Sequence, residues 1–114
     1  MKKTLIIFLL IYTSFSQAAY FMDSAELKEL LIDFDAYQEN REIRYMAKAS
    51  QYVGYVTGVV DSLDGSRFCL TKGVSAEHAS GIVSKYLRDH PDGLDRHASE
   101  IISTVLAASF PCRR

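Results

Sequence analysis

Residues 51–69, with the helical approach to them, constrain this chain most. Met46, Ala49, Val53, Val56, Val60 and Leu63 recur at alternating steps of 3 and 4, which gathers them into one apolar strip along an α-helix. Such a strip has to face a core. Beside it, Ala47, Ser50, Gly54 and Gly58 form a second strip of small residues. Two glycines inside a helix cost about 1 kcal/mol each relative to alanine, a cost most easily explained by another backbone packing closely there. No charged residue stands between Ala49 and Val60. These features predict a central helix from about Glu42 to Leu63, buried on more than one side. Its exit at 61–67 carries Asp64-Gly65, a pair typical of tight turns.

Three further helices are expected around it. Asp23 and Glu26 have the spacing of a capping box, and Leu27, Leu30, Leu31 and Phe34 follow at helical intervals. Residues 23–42 hold seven acids against Lys28 and Arg41, so this first helix reads as acidic on its outer face. The apolar pattern lapses at 38–41, where a turn is placed. Ser75 is positioned to cap a third helix, with Val74 stapling onto Ala79 and with Ile82, Val83, Tyr86 and Leu87 on the buried face. Pro91 stops that helix near His90. A last helix is expected from Asp95, with Ala98, Ile101, Ile102, Val105, Leu106 and Ser109 at core spacing, ending at Phe110-Pro111-Cys112. With no alternating β pattern and no internal repeat, the expected fold is a small all-α bundle of four to five helices.

The N-terminus reads as a secretory signal peptide over residues 1–18. Lys2 and Lys3 open it, a short apolar run from Leu5 to Ile11 follows, and Ser16-Gln17-Ala18 suits cleavage. The run falls short of the roughly 20 apolar residues that span a bilayer, so no membrane attachment is expected after cleavage. Residues 19–114 then form a single domain. Without Lys2 and Lys3 this domain is mildly acidic, which argues against nucleic acid as a partner. Cys69 and Cys112 are the two cysteines of the chain. In an exported protein the simplest assignment is a disulfide between them, whereas a catalytic thiol at Cys69 needs an exposed thiolate and a nearby base.

Residues arranged for chemistry are sparse. The chain lacks a Gly-rich phosphate loop, a CxxC pair, HExxH and GxSxG, so neither an enzyme nor a cofactor is expected. His90 and His97 flank an acidic turn with Asp89, Asp92 and Asp95, but their spacing matches no recurrent metal site. Tyr45, Tyr52, Tyr55 and Val59 lie beside the apolar strip on the side away from the glycines. A tyrosine-edged, weakly charged surface suits a protein contact, and it equally suits the boundary of a core.

The order Tyr52-Val53-Gly54-Tyr55-Val56-Thr57-Gly58-Val59-Val60-Asp61, then Phe68-Cys69-Leu70, Gly73-Val74-Ser75, Val83-Ser84-Lys85-Tyr86-Leu87-Arg88-Asp89-His90-Pro91 and Phe110-Pro111-Cys112 resembles the Rap/Tai family of immunity proteins. These guard bacteria against peptidoglycan amidases delivered by type VI secretion. The resemblance implies a periplasmic, mainly helical homodimer that binds a cognate amidase effector and blocks its papain-like Cys-His cleft. Many relatives carry a further cysteine in the first helix, where this chain has Leu30, Leu31 and Ile32.

Two turns qualify as the element that enters such a cleft, because a stiff projection loses little entropy on binding. The first comprises Asp89, His90, Asp92, Gly93, Leu94, Asp95 and Arg96, stiffened by Pro91 and bearing carboxylates that suit a catalytic histidine or a basic rim. The second, around Asp64, Gly65 and Ser66, is anchored by Cys69. The first is preferred. Gly54 and Gly58, with Tyr45, Tyr52 and Tyr55, are then the candidates for a homodimer contact. The rival reading is a periplasmic acid-activated chaperone, also small, helical and disulfide-closed.

Overall fold

The computed structural model describes residues 21–91 and 96–113. The expected signal peptide, together with Asp92, Gly93, Leu94 and Asp95, lies outside the described residues. Four helices follow one another: α1 (Ser24–Gln38), α2 (Met46–Leu63), α3 (Ala76–Asp89) and α4 (Ala98–Ser109). Among the described residues there is no strand, and no helix is long and apolar enough to cross a membrane. The all-α bundle is the observed fold, and Cys69 and Cys112 are joined in a disulfide.

Each boundary has a local cause. Asp23 caps α1 by accepting the Glu26 N–H at 2.9 Å. At the other end Asn40 takes a left-handed φ of 55°, while the Arg41 N–H reaches the Ala36 carbonyl and the Asn40 N–H the Tyr37 carbonyl. That is a Schellman stop with asparagine in the position glycine usually takes. Ser75 caps α3 through the His78 N–H at 3.0 Å, as its sequence position predicts. Gly65, at φ 93°, turns the chain after α2 so that Phe68 enters the core fully buried. The Cys69 N–H then donates to the Phe110 carbonyl at 2.8 Å, which brings the two cysteines together.

Two helices begin later than their sequence suggests. α2 starts at Met46 instead of near Glu42 because the Asp33 carboxylate accepts the N–H groups of Arg44 and Tyr45, at 3.0 and 3.2 Å. That holds the approach extended. α4 starts at Ala98 instead of Asp95 because Asp23 and His97 form an antiparallel bridge. The Ala98 N–H meets the Met22 carbonyl and the Ser24 N–H the Arg96 carbonyl, each at 3.1 Å. The N-terminal ends of α1 and α4 are thereby stitched together.

The core corrects the orientation expected for α2. Its buried residues are Ala49, Tyr52, Val56 and Val59, a strip turned by about one position from the expected one. Met46 is 53% exposed, and Val53, Val60 and Leu63 are only partly covered. Tyr52 sets this orientation. Its ring centroid lies 4.7 Å from that of Phe34, and its hydroxyl donates to the Ser80 carbonyl at 2.9 Å. A large aromatic with a partner for its polar tip outweighs a strip of valines in deciding which face turns inward.

The small-residue strip faces away from the bundle. Gly54 and Gly58 are exposed, and a Cβ built on either meets nothing within 4 Å, so no backbone of this chain packs against them. Replacing either by alanine is therefore expected to raise stability by up to about 1 kcal/mol through helix propensity. Thermal unfolding of Gly54→Ala and Gly58→Ala measures this, and a loss of stability in the monomer would contradict the open face.

α1 brings a second correction. Glu26 and Glu29 are exposed as expected of an acidic outer face, but Asp33 and Asp35 are buried. Asp33 holds the approach to α2. Asp35 accepts from the Ser84 hydroxyl at 2.6 Å and from the Arg88 guanidinium at 2.8 Å, and Arg88 also donates to Ser84. Both carboxylates are satisfied by hydrogen bonds to another element, which is the condition for burying them. Ser109, expected at a core position, is exposed on the last turn of α4.

Candidate partner-binding surface

The connection from α3 to α4 is held at both ends by α1. On one side the Lys28 ammonium donates to the Pro91 carbonyl. On the other, the Ser24 N–H donates to the Arg96 carbonyl at 3.1 Å. Proline alone suggested a stiff turn. The structure adds two fixed attachments, drawn from residues 24 and 28, one helical turn apart on α1.

Asp89 and His90 are exposed, yet their side chains are engaged. Asp89 pairs with the Lys85 ammonium at 2.9 Å across one helical turn. Lys85, by that hydrogen bond and then by its charge, holds the Asp89 carboxyl below the usual aspartate range. The His90 ring stacks on Tyr86 with centroids 4.0 Å apart and planes 20° apart. Its Nδ1 lies 2.9 Å from the Tyr86 carbonyl. A carbonyl only accepts, so Nδ1 carries the proton and Nε2 of the neutral ring is an acceptor. The last turn of α3 is thus a preset constellation of an ion pair and a stacked imidazole.

The secondary turn is occupied differently. The Asp64 carboxylate accepts the Leu70 N–H at 2.9 Å, and the Ser66 hydroxyl donates to the Leu63 carbonyl at 2.9 Å. Gly65 and its neighbours are exposed, but these two polar side chains serve the turn itself.

The residues offered for a dimer contact separate into two groups. Tyr45 is 56% exposed, with the Lys48 ammonium 5.3 Å from its ring centroid, and Gly54 and Gly58 lie on the open face of α2. Tyr55 is half-buried against the core. Tyr52 is 0% exposed, so this tyrosine belongs to the interior, the other of the two settings its side chain suits. Sequence reasoning did not single out two exposed apolar pairs, Ile32 with Tyr45 along one surface hollow and Tyr37 with Met46 along another. Ile32, placed at a solvent position of an otherwise acidic helix face, was the signal for the first.

Among curated proteins and solved structures, none matches the chain. The family model described as Rap1a immunity proteins matches residues 23–112. That span runs from the cap of α1 through all four helices to the second half-cystine, and with it the chain belongs to the Rap1a immunity protein family.

Proposed function

We propose that the chain is exported to the periplasm, where the domain of residues 19–114, freed of its signal peptide, binds a cognate type VI secretion peptidoglycan amidase and blocks its active-site cleft. The action is obstruction, with no reaction of its own. What carries the reading, beside family membership, is the α3–α4 connection clamped to α1 through Pro91 and Arg96. A projection whose ends are fixed before binding gives up less entropy when it enters a cleft. A second copy is proposed to meet the open face of α2 at Gly54 and Gly58, with Tyr45 and Tyr55 at its edge.

Copurification with the product of the neighbouring effector gene, followed by a peptidoglycan-cleavage assay, tests this. Stoichiometric inhibition is the expected result, and absence of both complex and inhibition would overturn it. Asp92→Arg and Asp95→Arg are each expected to weaken inhibition at least about tenfold, the loss typical of reversing a charge inside an interface. Unchanged melting curves keep the effect local, and unchanged affinity in both variants would remove this turn from the interface.

A further inference from the structure

The last turn of α3 does more than lead into the connection. Between α3 and α4 runs a groove of about 290 Å³, lined by Ile82, Val105 and Ala108 together with the Tyr86–His90 stack and the Lys85–Asp89 pair. At the lower end of the roughly 300–1,000 Å³ of small-molecule sites, it suits one or two side chains of a protein.

We infer that this groove receives an element of the amidase, an apolar side chain accompanied by a hydrogen-bond donor that meets Nε2 of His90. The inference rests on the amidase reading and extends it, since the protein both inserts a turn and accepts an insertion beside it. Three observations support the assignment. The groove is walled by Asp89 and His90, which are also the first residues of the candidate cleft-blocking turn. Their side chains fold back onto α3, to Lys85 and Tyr86, so their chemistry is presented at the groove. The bond from Nδ1 to the Tyr86 carbonyl fixes the tautomer of the neutral ring and leaves an acceptor with no partner among the described residues. Area points the same way. A stable interface takes about 800 Å² per partner, more than one short turn offers, and this groove is a concave surface that shares Asp89 and His90 with the turn.

The occupant is an apolar anchor because Ile82, Tyr86, Val105 and Ala108 give the groove apolar walls, to which Thr104 and Ser109 add two hydroxyls, and an apolar pocket is the setting in which interface anchors are worth most. It carries a donor because His90 supplies the acceptor. A carboxylate gains little there, since the Lys85 ammonium is already paired with Asp89 and Nε2 offers it only a lone pair.

The test titrates the purified neighbouring-gene amidase into the wild-type chain and three variants, with melting temperature and molecular mass measured for each. Ala108→Arg fills the groove from an exposed helix position with a good helix former. It is expected to lower affinity at least about tenfold at unchanged mass and melting temperature. His90→Asn keeps a donor near Nδ1 but loses the Nε2 acceptor, and is expected to lose about three- to tenfold. His90→Gln places an amide near Nε2 and stays within about threefold of wild type. Wild-type affinity in a folded Ala108→Arg variant would overturn the inference while leaving the amidase reading intact. A change of mass in that variant assigns the groove to a second copy and likewise overturns it. No binding by the wild type removes the amidase reading and this inference with it.

Discussion

Opening the Cys69–Cys112 bond, by reductant or by Cys69→Ser with Cys112→Ser, is expected to lower the melting temperature by about 15–30 °C. The half-cystines are 43 residues apart, and closing a loop of that length in the unfolded chain is worth roughly 4 kcal/mol in the chain-entropy picture. Each kcal/mol moves the midpoint of a domain this size by about 4–8 °C, and total stability is only about 5–15 kcal/mol. The bond also has a structural place. It fastens the exit of α2 to the tail beyond α4, beside the hydrogen bond from Cys69 to Phe110. Loss of the bond frees the tail from one anchor and leaves the Cys69–Phe110 hydrogen bond and the buried Phe68 to hold these ends. Circular dichroism melts with and without reductant decide the matter. A shift below about 5 °C would show that packing of Phe68 and Phe110, and not the covalent loop, keeps these ends together.

Much of this architecture was legible because its signals are local. Asp23 and Ser75 cap helices as their positions predict, Pro91 ends α3, and the two cysteines pair as their even count suggests. What escaped the sequence was long-range. Asp33 and Asp35 count as acids in any tally of an acidic helix, yet they occupy the apolar side of α1 next to Leu30, Leu31 and Phe34. Their position was a usable hint. A carboxylate at a core register needs donors from elsewhere, and here they come from residues 44 and 45 and from Ser84 and Arg88. The late start of α2 and the bridge at His97 follow from such distant partners, which periodicity cannot register.

The candidate surface shows the same division. Asp89 and His90 were recognisable as residues next to a proline-bearing connection, because proline announces itself. Their engagement by Lys85 and Tyr86 follows from helical spacing of four and was available to a closer reading. The attachment of Pro91 to Lys28 spans 63 positions and was not. For the proposed function this is the more consequential half, since the clamp fixes both ends of the connection.

Tyr52 gives the sharpest test of the packing. Sequence alone allowed it at a dimer surface or in a core, and the two settings differ in measurable cost. As the buried centre of α2, Tyr52→Ala is expected to destabilise the monomer by about 3–5 kcal/mol, the range for removing a large aromatic from a core, whereas a surface tyrosine costs within about 0.5 kcal/mol. Tyr52→Phe keeps the ring against Phe34 and loses the hydroxyl bond to Ser80, for roughly 1 kcal/mol. Alkali separates the two contributions. Burial, reinforced by the Asp35 charge, raises the Tyr52 phenol well above its ordinary value. A folded-state pKa raised in this way supplies stability that is complete below the unfolded value of about 10 and is lost as pH climbs beyond it. Denaturant unfolding followed from pH 8 to 11.5 is therefore expected to steepen downward above about pH 10 in the wild type and less so in Tyr52→Phe. Parallel curves for the two proteins, or a Tyr52→Ala variant as stable as wild type, would place the phenol in water and return α2 to the orientation that its valines suggest.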